Sequence, residues 1–187
     1  SNLRNLSYLN VASNQIIDIS PISNLLSLDN LVLGENPISD INPLSKLTLL
    51  HSLDLSRNII TDISPLSSLT KLWWFSANDN KIKDISPLSN SANIEIIRLP
   101  NNQISDIGSL QDLTNLTAIV LTNNNISDIS PLVANEGIST EEVYNYGIQL
   151  NGNPLNNTSL TSHISTLKSR GLKVEHDDIP SDIVTFK

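Results

Sequence analysis

Six aspartates stand 22 residues apart without slippage: Asp18, Asp40, Asp62, Asp84, Asp106 and Asp128. A row of carboxylates could bind calcium, which takes several oxygen ligands. Such a site needs oxygens converging from different positions, whereas here one position simply recurs. The competing role is local: each aspartate accepts nearby backbone N–H groups and fixes a turn. One carboxylate per unit argues for that second role, and no metal is expected. The three histidines, His51, His163 and His176, have no metal-ligand spacing to one another. The chain has no cysteine, which excludes disulfides, thiolate nucleophiles and Cys-type zinc sites. Glycine is scarce and forms no phosphate loop, and the many serines recur in position as scaffold residues do. No catalytic residue and no cofactor are expected, so the chain reads as a non-enzyme.

The aspartates belong to a larger repeat. Asn14, Asn36, Asn58, Asn80, Asn102 and Asn124 share the 22-residue spacing, each followed two positions on by Ile16, Ile38, Ile60, Ile82, Ile104 or Ile126. Before each Asn runs a segment such as Leu50 to Leu55, whose final alternation signals a strand with Leu inward. The Asn amide both donates and accepts, so a stacked column of them can satisfy backbone groups buried between coils. After each Asp comes Ile and then Ser-Pro or a relative. Serine suits a helix cap as acceptor and proline the first helical position. One unit cannot close a core alone, but stacked units can.

These units resemble the 22-residue leucine-rich repeats of internalin-like bacterial surface proteins, and Ile60 to Leu72 (ITDISPLSSLTKL) is close to what that family repeats. The resemblance implies an α/β solenoid. Its features would be a right-handed coil, a parallel β-sheet on the concave side, 3₁₀ or short helical turns on the convex side, and a C-terminal helix-strand cap. Seven repeat strands are expected, centred near Leu9, Leu31, Leu53, Phe75, Ile97, Ile119 and Ile148.

Irregularities mark the organisation. Ser91 stands where other units have Leu, and Gly108-Ser109 replaces Ser-Pro. The next ladder residue after Asn124 is Asn153, so seven extra residues fall around Asn135 to Tyr146 as a loop or helical bulge. Residues 1–157 are therefore read as the repeat array, with six 22-residue units over 3–134 and a divergent 29-residue seventh unit. Residues 158–187 are read as a cap and tail. There Leu160, Ile164 and Leu167 have helical spacing, Asn157 or Thr158 offers a start and Gly171 a stop. Leu172 and Val174 then alternate as a short strand, ahead of a solvated acidic tail with Glu175, Asp177, Asp178 and Asp182; of these Glu175 is the one nearest the strand. Ser1-Asn2 match the end of a unit, so the chain is expected to be part of a longer one, and its first unit is expected to fray.

The outward strand positions are where a partner would be read. Counting the Leu that opens each strand segment as one, position three carries Tyr8, Asn30, Ser52, Trp74, Ile96, Ala118 and Gly147, and position five carries Asn10, Val32, Asp54, Ser76, Arg98, Val120 and Gln149. Trp73 and Trp74, the only two tryptophans, both fall outward in the fourth unit. Trp74, Trp73, Ile96, Arg98, Asp54, Tyr8 and Val120 are the expected partner-binding residues, forming an apolar patch with a charged surround. Ser76 is expected to face solvent.

Bulk properties narrow the partner. A formal charge of −8 with no basic run disfavours nucleic acid and anionic membranes. No stretch approaches the length of a membrane-spanning helix. The expected function is a monomeric protein-binding module of a surface or secreted adhesin. Alternatives are an intracellular leucine-rich-repeat scaffold or regulator, or a structural spacer in a larger surface protein.

Overall fold

A computed structural model of the chain describes residues 3–139 and 147–177. Eight short strands form one parallel sheet in sequence order. They are β1 (Tyr8–Asn10), β2 (Asn30–Val32), β3 (Ser52–Asp54), β4 (Trp74–Ser76), β5 (Ile96–Arg98), β6 (Ala118–Val120), β7 (Ile148–Gln149) and β8 (Val174–Glu175). The first six pair at a constant offset of one unit, Tyr8 beside Asn30, then Ser52, Trp74, Ile96 and Ala118. The seven expected repeat strands are present, and the C-terminal segment adds β8, which pairs in parallel with β7 and takes in Glu175, expected in the tail, as the partner of Gln149.

Each strand alternates, with Leu31, Leu53, Phe75, Ile97 and Ile119 fully buried on the inner side. The Ile and Leu residues of the return half, such as Ile60, Ile63, Leu66 and Leu69, close the core from the other side. That half carries short 3₁₀ turns at Ser20–Ile22, Asn42–Lys46, Ser64–Ser68, Ser86–Asn90 and Gly108–Leu110, and a helix α1 at Ser130–Ala134.

The asparagine ladder has one geometry in every interior unit. Asn80 Nδ2 donates to the carbonyls of Ala77, Asn78 and, one unit back, Leu55 at 3.0–3.2 Å, while its Oδ1 accepts the Ile60 N–H at 2.9 Å. One amide thus satisfies groups on two coils, as buried backbone requires. Among the described residues Asn14, in the first unit, bonds the carbonyls of Val11 and Ala12 of its own unit.

The aspartate column caps the turns. Asp62 Oδ1 accepts the Ser64 N–H at 2.7 Å, and Asp18, Asp40, Asp84, Asp106 and Asp128 make the same bond. The serines therefore do not act as accepting caps. The hydroxyls of Ser20, Ser64 and Ser130 instead donate to the second oxygen of the same aspartate. A carboxylate two residues upstream is the stronger acceptor and takes the cap.

The irregular positions are absorbed locally. Ser91 is buried and donates to the Leu69 carbonyl at 3.3 Å. Asn135 is buried and donates to the carbonyls of Leu110 and Leu113. The remainder of the expected bulge, 140–146, and the tail beyond Asp177 lie outside the described residues. At the C-terminal end a π-helical turn, Ser159–His163, runs into α2 (Ile164–Ser169). Asn156, and neither Asn157 nor Thr158, caps its start, accepting the Ser159 N–H at 2.8 Å. Gly171 ends it with φ +85°. Arg170 reaches back to the carbonyls of Val133 and Asn135 at the end of α1.

Candidate protein-binding face

Because inner strand positions fill the core, positions three and five of each unit project from the opposite face of the sheet. Trp74 and Asp54, at opposite ends of neighbouring strands, are both half-buried there. They line two recesses. One, of about 400 Å³, is bounded by Gly34, Asp54, Arg57, Trp74, Ser76 and Arg98 among others. The second, of about 350 Å³, is bounded by Tyr8, Asn30, Ser52, Asp54, Trp73 and Trp74. Trp74 and Asp54 are common to both walls. Tyr8, on the wall of the second recess, is 54 % exposed.

The remaining expected contact residues are placed differently. Ile96 and Val120 project outward, as the alternation requires, but only 1 % and 5 % of their surface is open. Ala118 is similarly covered. Row neighbours stand one strand spacing, about 4.8 Å, apart. Ile96 sits between Trp74 and Ala118 in such a row. These residues support the face without offering much contact area. Ser76, expected in solvent, is 3 % exposed. It lies between the longer side chains Asp54 and Arg98 in its row. Its hydroxyl joins Ser56 Oγ at 2.9 Å and Asn78 Oδ1 at 2.7 Å.

A polar rim borders the first recess. The residue before each ladder Asn adopts a left-handed conformation, with φ of 54–59° at Ser13, Glu35, Arg57, Asp79, Asn101 and Asn123. Side chains at these positions bond along the stack: Ser13 Oγ to Glu35 Oε2, Arg57 Nη1 to Glu35 Oε1, Asn101 Nδ2 to Asp79 Oδ1 and Asn123 Nδ2 to Asn101 Oδ1, all at 2.7–2.8 Å. The Ser13 hydroxyl and the Arg57 guanidinium hold the Glu35 carboxyl below its ordinary pKa. Sequence reasoning missed this rim, although its uniformly polar column was visible. On the other border His51 Nδ1 lies 2.5 Å from Asp29 Oδ1.

Among the described residues no group of three His, Cys, Asp or Glu side chains could hold a metal ion, and no helix is long and apolar enough to cross a membrane. The stacked coils and open sheet face define a repeat-protein interaction scaffold. Residues 4–46, 26–68 and 92–134 match the model for leucine-rich repeats, two copies at a time. The chain belongs to the leucine-rich-repeat family.

Within that family it is internalin-like. It is 38 % identical to internalin C2 from Listeria monocytogenes, with a TM-score of 0.68 over 70 % of this chain and 57 % of that one. Internalin F from the same organism is 31 % identical, with a TM-score of 0.75 over 99 % of this chain and 62 % of that one. The chain thus spans about three-fifths of the length of these two relatives. A plant peptide hormone receptor, RGFR1 in complex with RGF2, shares the fold at 24 % identity and a TM-score of 0.63, over 79 % of this chain and 24 % of that one. No curated protein sequence matches significantly.

Proposed function

We propose that the chain is a binding module of a secreted or surface-exposed protein, holding a protein partner on the outward, concave face of its sheet around Trp74. Leucine-rich-repeat solenoids use such extended surfaces for binding, and the internalin likeness favours an extracellular setting. The observation that carries the reading is that Trp74 forms the shared wall of two recesses while remaining half-buried. A Trp so placed buries a large area on binding with few rotatable bonds, which is why Trp recurs among binding hot spots. Trp73, Tyr8, Asp54 and Arg98 surround it; Ile96 and Val120 support it from within the sheet surface.

The test is capture of a partner by the immobilised chain from the medium or cell surface that its host meets. Trp74→Ala should abolish the captured band, while Ile59→Ala, an exposed apolar residue beside the ladder, should retain it. Equal capture by the two variants would refute the assignment.

A further inference from the structure

In the second recess two polar side chains go unbonded where comparable ones elsewhere bond from coil to coil. Asp29 bonds His51, Ser56 bonds Ser76 and Asn78, and Arg57 bonds Glu35. Asn30 and Ser52 are register partners on neighbouring strands and both line this recess. Among the described residues neither side chain makes a hydrogen bond, and neither do the side-chain donors of Tyr8, Trp73 and Trp74 around them. The Asn30 Oδ1 is enclosed, so its amide offers the NH₂ group and not the carbonyl. Asp54, the charged residue of this lining, already accepts the Ser56 N–H through Oδ1. The recess thus combines aromatic rings with hydrogen-bond donors that the fold itself does not use.

Length gives a second constraint. Tyr8, Asn30, Ser52 and Trp74 stand in one row of the sheet. Two short side chains therefore separate two aromatic ones, over three strand spacings or about 14 Å. An α-helix laid here would bring carbonyls already bonded within itself. A polyproline II segment has no internal hydrogen bonds, so its carbonyls remain open as acceptors. Its prolines bring no N–H that would need an acceptor in return. Prolines three residues apart share one face of that helix at about 9 Å, within the distance between the Tyr8 and Trp74 backbones. Aromatic-lined grooves are the usual receivers of such segments.

We propose that the second recess takes a proline-rich, polyproline II segment of the protein partner. Its proline rings pack against Tyr8, Trp73 and Trp74, and its carbonyls accept hydrogen bonds from Asn30 Nδ2 and the Ser52 hydroxyl. The inference rests on the binding-face reading and adds the kind of segment that the face holds.

The isotope-labelled chain is titrated with a capped oligoproline peptide of about ten residues, which is polyproline II in solution, and followed by its amide chemical shifts. A Gly-Ser peptide of equal length and chitotetraose, a neutral oligosaccharide, are titrated alongside. Oligoproline should saturate, with the largest shifts at Tyr8, Asn30, Ser52, Trp73 and Trp74. Either control should bind at least about tenfold more weakly, the equivalent of about 1.4 kcal/mol. Tyr8→Ala and Asn30→Leu should each weaken oligoproline at least about fivefold, with unchanged spectra at Ile97 and Ile119 showing that the stack is intact. Failure to saturate, equal or tighter binding of a control, largest shifts elsewhere, or either variant binding like the parent would overturn the proposal. If oligoproline fails while Trp74→Ala still abolishes partner capture, the face stands and only its assigned segment is wrong.

Discussion

Arg57 donates from Nη1 to Glu35 Oε1 at 2.7 Å across one full repeat, and both residues hold left-handed backbone, with φ of 54° and 59°. A non-glycine residue in that region is strained, and a β-branched one more so. The rim combines this conformational cost with side-chain bonds between successive units.

The first prediction follows from that conformation. Arg57→Val should destabilise by about 1–3 kcal/mol in urea unfolding, because a β-branched side chain resists positive φ. Arg57→Asn should cost under about 1 kcal/mol, since Asn tolerates this region and stands there already at Asn101 and Asn123. Equal losses would mean that the exposed ion pair, and not the backbone, governs the position.

Buried polar groups give a second, ranked prediction. Leu53→Ala removes a fully buried side chain and should cost about 2–5 kcal/mol. Asn80→Ala leaves backbone groups of two coils unpaired and should cost about 1–3 kcal/mol. Ser76→Ala should cost about 1 kcal/mol, the usual worth of a hydrogen bond, because its hydroxyl is enclosed with Ser56 and Asn78. Urea midpoints that leave Ser76→Ala indistinguishable from the parent would contradict the enclosed network.

How far these assignments could be read beforehand differs by type. The centre of each repeat strand, the ladder and the capping aspartates follow from spacing, because a 22-residue period admits little slippage. The exposure of Ser76 and Ile96 does not. Alternation assigns a side of the sheet, but accessibility depends on the length of the row neighbours, such as Trp74 beside Ile96. The rim was legible only as a polar column, since bonds between residues 22 apart require the stack itself. Asn156 was overlooked as a cap because two polar residues, Asn157 and Thr158, follow it, and only the helix direction selects among them.

The first unit of this chain supplies a third prediction. Leu6, Leu9 and Val11 are only partly buried, unlike their counterparts in later units, and among the described residues Asn14 bonds carbonyls of its own unit. Amide exchange at Leu9 and Val11 should be faster than at Phe75 and Ala77. Equal protection across β1 and β4 would argue against a frayed first unit.

Acid should weaken the junction between the last coil and the C-terminal helix. The Ser130 N–H and hydroxyl hold the Asp128 carboxyl below its ordinary pKa, with a smaller contribution from His163, 3.6 Å away. A carboxylate depressed in the folded state contributes stability above its unfolded pKa, about 3.9, and loses it as pH falls through the folded value. Asp128→Asn should therefore melt below the parent at neutral pH, and the gap should close toward about pH 2. A gap that stays constant with pH would assign the loss to packing alone.

Partner affinity and melting temperature, measured together on Trp74→Ala, test the central claim most directly. The binding-face account predicts a loss of about 2 kcal/mol or more in affinity with the melting temperature nearly unchanged, while Arg98→Ala loses less. A lowered melting temperature with intact binding would show that Trp74 only covers the sheet, and would contradict the account.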